Sequence, residues 1–163
     1  MFFTCTNSFA QHSIAFGTQV GFASSFRSTA GMGIGASVDY ETMVTDVLGI
    51  RGSLGHSYFK SKAIYDDSRS VSLTPLRAGV QVHIIPALFV LGDGGVAFFG
   101  DNNKVNRAGL SYGVGAGFRI PLKATQFLQF SGSYNYLKYD PSFNYTWFNA
   151  GVLVGLSFGN KKG

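Results

Sequence analysis

Charge is scarce in this chain of 163 residues: 13% are Asp, Glu, Lys or Arg, against about 25% in an ordinary soluble domain. The basic residues carry a formal net charge of +5 but form no stripe on any one element, and only Lys161 and Lys162 adjoin. That scatter excludes a nucleic-acid partner. There is one cysteine, Cys5, so no disulfide forms within the chain. A run of about 18 uncharged apolar residues, the mark of a membrane-spanning helix, is missing. The nearest stretch, "AGVQVHIIPALFVLGDGGVAFFG" (Ala78–Gly100), is interrupted by Gln81, His83, Pro86 and Asp93, and its period is two. The three histidines, His12, His56 and His83, fall on different elements, and no Cys/His/Asp spacing suits a metal. "GMGIG" and "GVGAG" repeat glycine at every second position without opening a helix, so they are not phosphate loops. No cofactor is expected.

What the chain has is glycine, 22 residues, together with 45% hydrophobic and 15% aromatic residues. These are arranged by strict alternation. In Ser13–Phe22 the apolar set Ile14, Phe16, Val20 and Phe22 opposes Ala15, Gly17, Gln19 and Gly21. The same rhythm runs through Gly31–Tyr40, Val47–Tyr58, Leu76–Ile84, Leu88–Phe98, Leu110–Ile120, Phe127–Tyr136 and the closing "NAGVLVGLSF" (Asn149–Phe158). A period of two over such lengths predicts β-strands. There are about eight, each close to the ~9–11 residues that a tilted membrane strand needs. Three connections are tight: Glu41–Asp46, the Pro86 corner and Pro121–Thr125. Four read as longer and polar: Ala23–Ala30, Lys60–Ser70, Gly100–Arg107 and Leu137–Thr146. Alternating short and long links suit an up-and-down barrel with unlike ends. The expected fold is all-β: a closed antiparallel up-and-down transmembrane β-barrel. The N-terminal "MFFTCTNSFAQ" reads as a signal-peptide remnant over residues 1–10, with Ser8-Phe9-Ala10 as a small-x-small cleavage pattern. Residues 11–163 then form the single barrel domain.

Alternation does not say which face is outward. A soluble lipocalin-like carrier would bury the apolar face, and a membrane barrel would expose it. The lysines decide: all seven fall, on this reading, in loops, turns or the tail, whereas a soluble barrel would place such charges on its strand faces. The second face, rich in Gly, Ser and a few long polar side chains, suits a filled interior. Arg51, Arg77 and Arg119 share the inward parity with Asp39, Glu41 and Asp93, and Gln81 and His83 lie on the same face. Three cations and three carboxylates in a narrow lumen would neutralise one another, and about eight strands leave an interior that side chains fill. The expectation is a plugged lumen, not a pore. Tyr40, Tyr58, Tyr136, Tyr139, Tyr145 and Trp147 are expected at the long-loop end as an interfacial belt, with Phe16, Phe118, Phe127 and Phe158 towards the other end.

The stretches "SLTPLRAGVQVHI", "ALFVLGDGGVAFF", "SYGVGAGFRIP" and "FNAGVLVGLSF" resemble the small outer-membrane β-barrel proteins of Gram-negative bacteria, of OmpA/OmpX type. The resemblance implies residence in the bacterial outer membrane, contact with its lipid and lipopolysaccharide, and handling by the barrel-insertion machinery. It also implies an insertion signal in the last strand, which Asn149, Gly151, Val154, Leu156 and the aromatic Phe158 match. The tail "GNKKG" after Phe158 departs from the pattern, because many members end at the aromatic. The role expected is structural or adhesive, through four long extracellular loops whose ligand the sequence does not name. The alternatives are a narrow ion or small-solute channel, a lipid-modifying barrel enzyme, and the soluble carrier. The enzyme reading is weak, because His56 and Ser57 are adjacent on a strand and point to opposite faces.

Overall fold

The structure, a computed structural model, describes residues 12–25, 31–61, 70–101, 104–140 and 143–159. The expected signal remnant lies outside them. Eight strands follow in chain order: β1 (His12–Ser25), β2 (Gly31–Met43), β3 (Leu48–Ser61), β4 (Ser70–Ile85), β5 (Leu88–Asp101), β6 (Lys104–Lys123), β7 (Gln126–Asp140) and β8 (Phe143–Phe158). Each pairs antiparallel with the next, and β1 pairs with β8, which closes the barrel. Closure satisfies the edge hydrogen bonds that hydrocarbon would otherwise leave unmade.

Alternation has the sense expected. The exterior is apolar: Ile34 is 71% exposed and Leu110 65%, with Val38, Leu54, Val80, Val114, Val152 and Val154 on the same face. The inward face holds Asp39, Glu41, Gln81, His83, Gln129 and Asn135, all buried. A soluble carrier would show the reverse, and that alternative is excluded.

At one end the hairpins close in turns at residues 44–47, 86–87 and 124–125. Thr45 holds the first: its Oγ1 accepts hydrogen bonds from the Val47 and Leu48 amides at 3.3 and 3.0 Å. Each turn also offers a carbonyl to the following hairpin. Val47 O accepts from His83 N at 2.8 Å, Ala87 O from Arg119 N at 2.7 Å, and Thr125 O from Ser157 N at 2.7 Å. Short turns mark the periplasmic end of such barrels, called the inner end below.

Three expectations need correction. The strands are longer than foreseen, from 13 residues in β2 to 20 in β6. Gly100–Arg107 and Leu137–Thr146 are therefore mostly strand: Gly100 pairs with Val105, and Lys138 with Asn144. Beyond the hydrocarbon no face has to be apolar, so alternation lapses while the ladder continues. Lysines accordingly stand within strands, Lys60 in β3, Lys104 and Lys123 in β6 and Lys138 in β7, towards strand ends; the other three lie outside the described residues. The third correction concerns Tyr40, which belongs to the inner end. β2 runs from outer to inner end, and Tyr40 lies near its finish, its hydroxyl 3.0 Å from His12 Nδ1.

Candidate functional site in the barrel lumen

Inward-pointing side chains stack in three layers. The outer layer is apolar. Ala23, Phe59, Leu73, Ala97, Leu137, Tyr145 and Trp147 form one buried cluster, with Val71 and Phe99 packed against it. Trp147 is 1% exposed. Tyr145 meets Phe59 and Phe99 edge-on, with centroids 6.4 and 6.1 Å away. Tyr145 and Trp147 thus face the axis and do not join an interfacial belt. They share the odd parity of Asn149 and Gly151 on β8, which is inward.

The middle layer is ionic. Arg51 reaches Asp39 at 2.7 Å and Asp93 at 3.2 Å, and Arg77 reaches the other Asp93 oxygen at 3.1 Å. Arg77 also donates to Asn135 Oδ1. Gly113 makes this meeting sterically feasible: a Cβ there would lie 2.6 Å from Asn135 Oδ1 and 2.8 Å from Arg77 Nη1. Two cations and two carboxylates balance, so the layer holds no net charge. Charge-assisted hydrogen bonds offset the desolvation that would otherwise expel such groups from a low-dielectric interior.

The inner layer centres on Glu41. One carboxylate oxygen lies 2.6 Å from Arg119, and the other lies 3.0 Å from His83 Nε2. Gln81 approaches the same histidine nitrogen at 3.2 Å. Arg119 also donates from Nε to Gln129 Oε1 at 2.7 Å, and its guanidinium packs over the Phe127 ring at 4.7 Å and the Phe89 ring at 5.4 Å. Phe127 therefore fills the lumen floor and is not an exterior aromatic. Gly155 makes room for it, since a Cβ there would meet the Phe127 ring at 2.1 Å.

All eight polar residues named from parity lie in the lumen, but they divide into two groups. Asp39, Arg51, Asp93 and Arg77 join in the middle; Glu41, His83, Gln81 and Arg119 join below. Asn135 and Gln129 complete the two groups; neither is among the eight, although their odd positions in β7 put them on the polar face of that strand. Among the described residues no group of three His, Cys, Asp or Glu is placed to hold a metal ion. His56 lies on the outer face, 2.8 Å from Thr74 Oγ1, while Ser57 points inward and accepts from Gln19 at 2.9 Å. They do not meet.

A closed eight-stranded barrel, apolar outside and ionic within, is one of few ways for strands to cross a bilayer. The family model described as "Outer membrane protein beta-barrel domain" matches residues 4–158. The chain belongs to that family. It is a bacterial outer-membrane protein, and its eight strands are transmembrane. None of the curated proteins matches it. Among solved structures, it is similar to Ail, the attachment invasion locus protein of Yersinia pestis, in complex with the heparin analogue sucrose octasulfate. That likeness has a TM-score of 0.65 at 16% identity and covers 90% of this chain and 97% of Ail. Neisserial surface protein A gives a TM-score of 0.65 at 12% identity, covering 91% of this chain and 98% of that one. OprG from Pseudomonas aeruginosa gives 0.56 at 12% identity, covering 93% and 98%. At these identities the likeness shows the shared fold.

Within this outer-membrane barrel, the five positions matched to an insertion signal lie on both faces of β8. Asn149 and Gly151 point inward; Val154, Leu156 and Phe158 are exposed outside. Phe158 pairs with His12 across the closing seam, and the two rings stack with centroids 5.9 Å apart. His12 stacks in turn on Tyr40 at 6.2 Å. At the outer end Tyr136 stacks on Tyr112 at 4.8 Å on the exterior. The interfacial aromatics are thus partly other residues than the sequence nominated.

Proposed function

We propose that this barrel is a plugged membrane anchor that acts through its outer surface, in a structural or adhesive role, and not through its lumen. The observation that carries the reading is the apolar outer layer. Phe59, Leu73, Tyr145 and Trp147 fill the cross-section above the ionic layers, and an ion in transit would have to shed its hydration there. The balanced ion pairs below then serve to fill and fix the interior. Adhesion would use the outer rim, to which the strand extensions of β5–β6 and β7–β8 belong. The natural environment of that rim is lipopolysaccharide. Asn149, Gly151, Val154, Leu156 and Phe158 serve as the insertion signal for the assembly machinery, read before β8 closes on β1. The reading assigns no catalytic residue.

Planar-bilayer recording of the purified protein tests it. A plugged barrel is silent across the voltage range. Discrete, ion-selective openings would establish the channel instead.

A further inference from the structure

The lipid-facing wall is uneven. A hollow of about 760 Å³ lies on it, reaching from β6 and β7 across β8 to β1 and β2. Its floor is low because Thr18, Gly132 and Ala150 have short side chains or none. Phe118 and Phe130, stacked with centroids 4.8 Å apart, border it on the β6–β7 side, and Ile34 borders it on β2. In a bilayer, acyl chains fill such a hollow, because an empty one forfeits dispersion contacts on every side. Which lipid supplies the chain depends on what stands above it.

Strand register answers that. Followed from partner to partner around the closed barrel, the row that starts at Gln126, beside an inner turn, returns to β7 at Tyr136, near the outer end. Each row therefore climbs outward in the direction β8, β1, β2, β3. From Ala150 the row passes through Val20 and Ile34 to Tyr58, and Lys60 is the next residue up β3 on the same face. With strands about 4.8 Å apart, a rise of about 3.4 Å per residue and a tilt of about 45°, these steps put Lys60 about 15 Å above Ala150. The hydrocarbon core is about 30 Å thick, so this is the depth of one leaflet. Lys60 is exposed on the exterior. Its Cα partners are the uncharged Met32 and Ser70, and among the described residues it makes no ion pair.

We propose that Lys60 and the hollow form one binding site for lipid A, the phosphorylated and acylated anchor of lipopolysaccharide. A phosphate pairs with the Lys60 ammonium, Tyr58 flanks the sugar, and one acyl chain runs down the wall into the hollow. Charge and reach together select this occupant. The cation calls for an anionic headgroup at the outer surface, and a chain hung from that height ends where the wall is low. The proposal rests on the lipopolysaccharide-facing rim of the proposed function. It does not depend on the plug: a barrel that conducts and still holds lipid A would sink the plug alone.

The experiment is native mass spectrometry of the full chain folded in detergent micelles and offered equal amounts of bisphosphorylated lipid A and phosphatidylethanolamine. The wild type should retain one lipid A in preference to the phospholipid. Lys60→Ala should weaken that retention about fivefold, as the loss of one exposed charge pair allows, and Lys60→Arg should preserve it. Lipid A stripped of its phosphates should bind the wild type as weakly as intact lipid A binds Lys60→Ala. Ala150→Leu fills the hollow and should lower retention by a similar factor; Thr18→Leu stands in if Ala150→Leu does not fold. Lys138→Ala, at an exposed lysine of β7, should change nothing. Equal retention of the two lipids would show an unselective lipid shell and overturn the site. No loss with Lys60→Ala, or the same loss with Lys138→Ala, would overturn the phosphate contact, and full retention by the hollow-filling variants would overturn the acyl-chain groove.

Discussion

Asp93 is the strongest place to probe the ionic layer, because it faces two guanidinium groups at once. Its carboxylate lies 3.2 Å from Arg51 and 3.1 Å from Arg77, with side-chain exposures of 4%, 12% and 9% for the three residues. Asp93→Ala would leave both cations in the lumen with Asp39 as the one carboxylate of that layer. Removing one partner of a buried ion pair costs about 3–5 kcal/mol, most of it the penalty of the charge left behind. Removing both sides costs less, so Arg77→Met combined with Asp93→Leu should recover much of the loss and lie within about 2 kcal/mol of the wild type. The assay is reversible urea unfolding in detergent micelles, followed by the mobility shift of the folded barrel on gels run without boiling. A loss below about 1 kcal/mol for Asp93→Ala would equal that of a surface pair. It would mean that the lumen is hydrated like bulk solvent, and the filled-interior reasoning would fail.

Other perturbations separate the remaining parts of the account. Gly113→Val drives a side chain into Asn135 and Arg77 and should cost about 1–3 kcal/mol by overpacking, read in the same unfolding assay. Val152→Arg places a cation on the exposed exterior midway along β8 and should cost about 2–4 kcal/mol in a bilayer. Trp147→Ala should destabilise by about 3–5 kcal/mol through the cavity it opens, and conductance that appears only in this variant would support the apolar layer as the seal. Phe158→Ala should slow assembly in cells and lower the heat-modifiable folded fraction recovered from membranes, whereas an unchanged fraction would remove Phe158 from the insertion signal.

The transmembrane part of the fold was legible in the sequence because hydrocarbon enforces it. Each exterior position of Gly31–Tyr40 or Leu110–Ile120 must be apolar, and each interior one small or paired, so parity alone places Asp39, Glu41 and Arg119 in the lumen. Outside the bilayer that constraint ends. Lys138 and Asn144 pair as strand although neither face there carries a pattern, so Leu137–Thr146 read as loop. Tyr145 and Trp147 were misplaced for another reason: aromatic type was weighed above parity, and an aromatic suits both an interface and an apolar plug. Tyr40 shows that height in a barrel needs strand direction as well as strand position, because alternate strands run opposite ways.

The central claim is that lipid meets the apolar face and the lumen excludes it, and the chain's one tryptophan is placed to test that. Trp147 is buried on the axis, while Val152 on the same strand is exposed on the exterior. Tryptophan fluorescence in bilayers of brominated phospholipid compares them directly. The account predicts that native Trp147 resists quenching and that a Trp147→Phe, Val152→Trp variant is strongly quenched. Strong quenching of native Trp147 with protection at position 152 would contradict it.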